Sequence, residues 1–382
     1  MRQPFAVVAR VGAGLACAGA LALAVGGVTA PARMWANVLL AGYALAGLGL
    51  AATFFIALSY VADATWTVAF RRVPEALSRV LPASAVLLGV VFLLYPALYS
   101  WTGTGGDALT GFKRFWLDRP FFLLRFVVYF IVWIAFASAL ARHSRRQDDD
   151  GSLQWTRRNA RVSAAFLVLF AVTVWLASVD WIMSLTPHWY STMFGVYNFA
   201  GFFQSGLAAI LILVVWLERA GPLRGVIRTE HLHDLGKLLF AFSTFWMYIW
   251  FSQYMLIWYA NIPEETAYFI PRMQPAWRPL VMATLTLNWV VPFLVLMSRP
   301  AKQNRGILVK VAAAVLVGHW LDLFVMIVPS ISPGAPPFGL PEIGAPAVAV
   351  GLVLLLFVRG FRRAPPVPRR DVFLAESLHY HS

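Results

Sequence analysis

Two carboxylic acids and one histidine of this chain lie where a sequence is otherwise almost wholly apolar. Asp180 and Asp322 each sit deep in a hydrophobic stretch, and a proline follows each of them seven residues later, Pro187 and Pro329. His319 stands three residues before Asp322, which puts imidazole and carboxylate next to each other on one helix face. An ionised side chain at membrane depth costs about 3 kcal/mol or more, so such acids pair, line a wet cavity or handle protons and ions. The chemistry open to His319 and Asp322 is therefore proton exchange or ligand contact; the structural alternative is a local pair that braces two helices.

Other polar residues fall on helical faces around these. His233, Lys237, Thr244, Tyr248, Ser252 and Tyr259 make the longest stripe. Thr173, Asp180 and Ser184 share a face, Thr284 and Asn288 make a short one, and Ser59, Asp63 and Thr67 another. Read as a conduit, His319 and Asp322 join Lys237, Thr244 and Tyr248 in the cytoplasm-facing half of a polar path. Asp180 and His188 then lie on the outer side, and Asp63 at a cytoplasmic helix end. Read as structure, hydroxyl stripes are interhelical glue and Asp180 caps or hydrates a helix end. Arg125, also inside an apolar stretch, either snorkels outward or pairs with a nearby acid.

The elements that must carry these residues follow from composition. The chain is 60% hydrophobic and only 13% charged over 382 residues, which excludes an ordinary soluble domain. Apolar stretches long enough to cross a hydrocarbon core of about 30 Å run near 5–28, 36–62, 80–100, 121–141, 162–185, 193–217, 236–259, 279–298, 307–328 and 343–361. The expected fold is an all-α polytopic membrane protein of about ten spans, one integral membrane domain over 1–382 with a cytoplasmic tail at 363–382.

Charge sets the orientation. With a cytoplasmic N-terminus, 24 of the 31 basic residues fall on the inner side. They cluster at Arg71, Arg72 and Arg79, at 142–161, at 219–237, at 299–310 and at 359–370. That bias predicts both termini in the cytoplasm and makes the net charge of +14 a topology signal, not a nucleic-acid footprint. Trp101, Trp116, Trp189, Trp277 and Tyr259 at span ends fit an interfacial belt. The first span ends in Val28-Thr29-Ala30, a passable cleavage site. Its apolar run is longer than the roughly 7–15 residues of a signal core, so a retained helix is expected.

Several chemistries are excluded. A single cysteine, Cys17, allows no internal disulfide, no CxxC zinc site and no cysteine-ligated cluster, and its context does not suit a lipid anchor. Only His319 is deep enough to be a haem ligand. No metal site, nucleophile triad, phosphate loop or zinc motif is present. Any haem or iron–sulfur cluster working with this chain belongs to a partner.

Internal similarity organises the spans. Tyr43-Ala-Leu-Ala-Gly47 matches Tyr197-Asn-Phe-Ala-Gly201, Arg119-Pro120 matches Arg278-Pro279, and Asp180 with Pro187 matches Asp322 with Pro329. The matches fall in chain order and four spans apart. They predict two parallel-repeat four-helix bundles, 36–190 (spans 2–5) and 191–330 (spans 6–9), with spans 1 and 10 flanking them. An inverted repeat is not expected.

Four segments carry a family resemblance. They are Ser178-Val-Asp180-Trp-Ile-Met-Ser-Leu-Thr-Pro187-His188-Trp-Tyr-Ser191, Phe194-Gly195-Val196-Tyr197, His233-Asp234-Leu235-Gly236-Lys237 and the run from Trp250 through Gln253, Trp258, Asn261 and Pro263 to Thr266. Together they resemble the polysulfide-reductase-type (NrfD/PsrC-like) membrane subunits. Within that family they are most similar to the second, smaller such subunit of alternative complex III, a bacterial quinol:cytochrome c oxidoreductase. The resemblance spans essentially the whole chain. It implies two four-helix bundles with flanking helices in the bacterial inner (plasma) membrane. It also implies a larger sister membrane subunit, an iron–sulfur subunit, c-type cytochrome subunits and small membrane subunits as partners, with a terminal oxidase attached in some complexes. The resemblance further implies that haems c and clusters sit on those partners and that the family's better-supported quinol site lies on the sister subunit. This second subunit is often labelled quinone-binding, which leaves a quinone contact on this chain open, and proton half-channels have been suggested for both membrane subunits. No residue here is assigned to a quinone ring. The competing reading is a stand-alone proton- or ion-coupled transporter, for which Pro96 and Pro292 would mark broken helices.

Overall fold

The computed structural model describes residues 2–103 and 109–381, without the side chains of Arg2 and Gln3. Met1, Ser382 and the loop 104–108 fall outside it. Among the described residues every regular element is helical, and the chain is an all-α polytopic membrane protein of about ten spans. The long helices are α1 (Arg2–Thr29), α2 (Pro31–Val61), α3 (Arg72–Leu94), α4 (Arg119–Asp150), α5 (Leu153–Trp181), α6 (Phe194–Ala220), α7 (Thr229–Ala260), α8 (Arg278–Leu296), α9 (Arg305–Ile327) and α10 (Leu340–Phe361). Among the described residues, nine have the length and hydropathy of a membrane span. α7 has 32 residues, but its Trp and Tyr content dilutes its hydropathy.

Local sequence sets the boundaries. Proline opens α2, α4, α8 and α10, where its missing N–H costs nothing. Asn304 caps α9 through its side chain, accepting from Gly306 N at 2.9 Å and Ile307 N at 3.1 Å. Gly151 at φ 70° and Gly221 at φ 110° end α4 and α6 in the left-handed conformation that favours glycine. The third span begins earlier than its apolar run suggests, at Arg72, and stops at Leu94. Beyond Pro96 the chain continues in short 3-10 turns, since proline cannot continue the ladder.

α2 and α6 form the centre. Of their most apolar windows 83% and 89% are buried, against 22% for α1. α2 packs against α3 and α5, with α4 joining α3 to α5. α6 packs in the same cyclic order against α7 and α9, with α8 closing the second ring. α2 and α6 meet through small residues: a methyl on Gly206 would lie 2.2 Å from Ala51 Cβ, and one on Gly47 2.3 Å from the Phe202 ring. α1 and α10 pair through Gly12, Gly19, Gly344 and Gly351, a small-residue contact typical of membrane helices, and α10 leans on α2 and α3.

Both chain ends gather at one face, called here the termini face. Phe5 packs edge-on against Trp216 and stacks on Phe361. The segment 363–381 is docked against the bundle. Asp371 pairs with buried Arg71, Ser377 Oγ donates to Trp66 O at 2.9 Å, Arg228 donates to Leu378 O, and Tyr380 donates to Asp234 Oδ2 at 2.6 Å. The tail thereby ties the loop before α3 to the start of α7.

Candidate functional site: two buried acids in unlike surroundings

The two acids sit at corresponding places in the two rings but have different partners. Asp180, at the end of α5, is fully buried. Its carboxylate accepts from Arg125 Nε (2.9 Å) and Nη2 (3.0 Å), Trp116 Nε1 (2.7 Å) and Tyr129 OH (3.0 Å). The Arg125 guanidinium also lies 4.1 Å from the Trp116 ring centre and 4.5 Å from that of Phe121. Arg125 therefore pairs with the acid; it does not snorkel. Every oxygen of Asp180 is occupied by donors, as in a closed structural ion pair. The neighbouring backbone is held too: Tyr99 OH donates to Trp181 O at 2.8 Å and Ser184 Oγ to Asp180 O at 2.5 Å.

Asp322, on α9, is only 4% exposed, yet no guanidinium or ammonium pairs with it among the described residues. It accepts from Tyr197 OH on α6. His319 Nδ1 lies 3.8 Å from Asp322 Oδ2, beyond hydrogen-bond reach, and neither ring nitrogen of His319 has a hydrogen-bond partner among the described residues. The Trp246 indole on α7 lies against the same group, 5.8 Å from the Tyr197 ring centre, without a geometric hydrogen bond. A cavity of about 30 Å³ opens beside Asp322, lined also by Tyr197, Gln253, Thr284 and Arg272. Gln253 Nε2 and Thr284 Oγ1 have no hydrogen-bond partner among the described residues, and the cavity is roomy and polar enough for about one water.

The internal repeat explains the contrast. Thr284 stands at the same distance from Arg278-Pro279 as Arg125 does from Arg119-Pro120, and Asn288 corresponds likewise to Tyr129. Where the first bundle supplies a guanidinium and a phenol, the second supplies a short hydroxyl and an amide. Arg272 lines the cavity but does not replace the missing charge. It spends its donors on Val325 O (3.0 Å), Met326 O (2.6 Å), Tyr268 O (2.6 Å) and Ser330 Oγ (3.0 Å), at the carbonyl end of α9.

α8 is shaped around this region. Pro292 cannot donate to the carbonyl of Asn288, the helix widens to a π turn over Thr286–Val290, and Gln204 Nε2 from α6 donates to the freed Asn288 O at 2.5 Å. The helix stays continuous there, whereas Pro96 lies beyond the end of α3. On α6, Gly201 makes room for the imidazole, since a methyl there would lie 2.7 Å from His319 Cε1.

The other candidates lie elsewhere. Lys237, Thr244 and Tyr248 do not join His319 and Asp322. Lys237 is half exposed and paired with Asp234 at 2.5 Å. Thr244 donates to Phe240 O at 3.1 Å, and Tyr248 is 63% exposed. α7 turns Leu239, Ser243, Trp246 and Gln253 inward, and its Lys237–Tyr248 stripe faces out. Asp63 is exposed, closing α2 at φ 47°, and His188 is exposed in the loop after Asp180. Tyr43, the repeat counterpart of Tyr197, donates to Asn198 Oδ1 at 2.9 Å and lies 3.1 Å from Ser178 Oγ, so it ties the bundles together and does not serve an acid. Trp246, Gln253, Gln204 and Arg272 complete the site and were not singled out by spacing. Among the described residues no group of three or more His, Cys, Asp or Glu is arranged to hold a metal ion. Comparison with protein-family models and with curated proteins gave no significant match.

Proposed function

We propose that this chain is a non-haem, NrfD-like membrane subunit of a quinol:cytochrome c oxidoreductase of the alternative complex III type. In this reading it scaffolds the complex in the bacterial inner membrane, with the termini face toward the cytoplasm, and its second bundle contributes a proton-exchange site. The four motif segments support the family, and the basic-residue bias supports the orientation. The observation that carries the proton role is the buried Asp322, with no guanidinium or ammonium partner among the described residues, beside a water-sized polar cavity, set against the fully paired Asp180. One acid is built as a structural tie. Among the described residues the other accepts a hydrogen bond from a phenol alone, and groups able to hold a water, Gln253 and Thr284, lie next to it.

In this mechanism Asp322 takes up or gives a proton to water held by Gln253 and Thr284. Tyr197 fixes the carboxylate's orientation, and the His319 ring lies one turn away on the same helix face, 3.8 Å from the carboxylate. Electron carriers belong to the partner subunits, and no residue of this chain is given a redox step.

Affinity isolation of the tagged chain from native membranes in mild detergent tests the assignment. The expected product is a multi-subunit assembly with c-type haem and iron–sulfur absorption that reduces cytochrome c with quinol. A colourless homo-oligomer would refute the assignment and favour a transporter.

A further inference from the structure

The termini-face ends of α3, α4 and α10 enclose an open groove of about 510 Å³. Arg79, Arg142, Arg145, Arg359 and Arg363 line it, together with Leu81, Pro82, Ile134, Ala137 and Leu356. The chain order on each helix sorts these into two levels. On α3, Arg79 precedes Leu81. On α4, Ile134 precedes Arg142 and Arg145. On α10, Leu356 precedes Arg359 and Arg363. All three helices therefore place arginine at the outer rim and apolar side chains toward the membrane interior.

The cationic rim is not neutralised by ion pairs among the described residues. Among the described residues none of the five arginines has a carboxylate at ion-pair distance. Glu75 reaches the groove and its charge acts on Arg79 and Arg145, but one of its oxygens is bound by Arg72 at 2.7 Å, and one carboxylate does not balance five arginines. The rim is also shaped: Gly360 lets the Arg79 stem cross α10, where a methyl would lie 2.6 Å from Arg79 Cδ. Gathering like charges in this way is unfavourable unless an anion from outside the chain joins them. Basic pockets between membrane helices on the cytoplasmic side suit anionic headgroups.

We propose that this groove binds an anionic phospholipid, its phosphate among the arginines and its acyl chains along Pro82, Ile134 and Leu356. A lipid fits better than an acidic protein segment because the groove floor continues as hydrocarbon-facing helix, where two chains but no peptide backbone are satisfied. The site is independent of the proposed respiratory role.

Native mass spectrometry of the full-length chain in detergent tests it, with phosphatidylglycerol and phosphatidylethanolamine of identical chains as probes. The wild type is expected to retain phosphatidylglycerol selectively. At about fivefold per arginine near a headgroup, the combined Arg79→Gln, Arg145→Gln and Arg363→Gln variant is expected to bind it on the order of a hundredfold more weakly. A charge-matched control, Arg219→Gln with Arg224→Gln and Lys310→Gln, is expected to bind as the wild type does. Three results would overturn the proposal: equal retention of both lipids by the wild type, undiminished binding by the rim variant, or displacement of the lipid by millimolar inorganic phosphate alone. A photocrosslinker at position 363 that captures an acidic protein segment instead of lipid in native membranes would do the same. The wild-type selectivity decides the matter even where the triple variant fails to fold.

Discussion

Replacing Arg125 by leucine should damage the fold far more than its position near one end of α4 suggests. Asp180 receives four donor contacts among the described residues, two of them from the Arg125 guanidinium that pairs with it. After Arg125→Leu the carboxylate keeps only Trp116 and Tyr129 and remains fully buried. Breaking a buried pair on one side costs about 3–5 kcal/mol, so a loss of that size is expected. Replacing both partners by apolar groups removes the stranded charge, so Arg125→Leu with Asp180→Leu should recover most of it, to within about 2 kcal/mol of wild type. By contrast, Thr284→Ala at the corresponding place in the second bundle should cost about 1 kcal/mol or less, because its hydroxyl has no hydrogen-bond partner among the described residues to lose. Equilibrium unfolding in bicelles, followed by tryptophan fluorescence and analysed as a double-mutant cycle, measures all four species. If the single variant falls within about 1 kcal/mol of wild type, or the double is no more stable than the single, Asp180 is not the closed ion pair described here.

Two further outcomes follow from the packing. Gly201→Ala puts a methyl 2.7 Å from His319 Cε1 and 2.9 Å from Nδ1 and should cost about 1–3 kcal/mol by overpacking. Gly14→Ala, which meets nothing within 4 Å, should be neutral or slightly stabilising, and thermal melts of the two compare them. Burial, and then the bond to Asp234, push the Tyr380 phenol up to about 12. A folded value above the unfolded value of about 10 means that tail docking is at full strength below pH 10 and weakens as pH rises toward 12. The anisotropy of a fluorophore attached at position 381 should fall with that release in the wild type and change little with pH in Tyr380→Phe.

Much of the architecture is legible in sequence because membrane spans announce themselves by length and apolarity. The aligned landmarks Arg119-Pro120 with Arg278-Pro279 locate the two acids in equivalent settings. They also contain the key contrast, for the same alignment places Thr284 opposite Arg125. Which way a helix turns was less legible. On α7 the stripe Lys237–Thr244–Tyr248 and the buried face of Ser243, Trp246 and Gln253 carry similar mixtures of aromatic and hydroxyl groups. In lipid, polarity alone does not distinguish an inner face from an outer one. Arg272 escaped notice because it sits outside any span and folds back to hold the end of α9, a contact that only tertiary structure shows. The tail residues Asp371, Ser377 and Tyr380 likewise carry no periodic signal, and their docking depends on partners some 150 to 310 positions away in sequence.

The central claim is that Asp322, and not Asp180, exchanges protons. It is tested most directly on the isolated complex in proteoliposomes, by measuring proton uptake per electron during quinol-driven cytochrome c reduction in the wild type and in Asp322→Asn. The substitution keeps the side-chain shape and the Tyr197 contact while removing the ionisable group. The account predicts that the assembled Asp322→Asn complex loses proton uptake or slows in step with it. An unchanged quinol oxidation rate together with an unchanged proton-to-electron ratio would contradict it and leave Asp322 a structural residue.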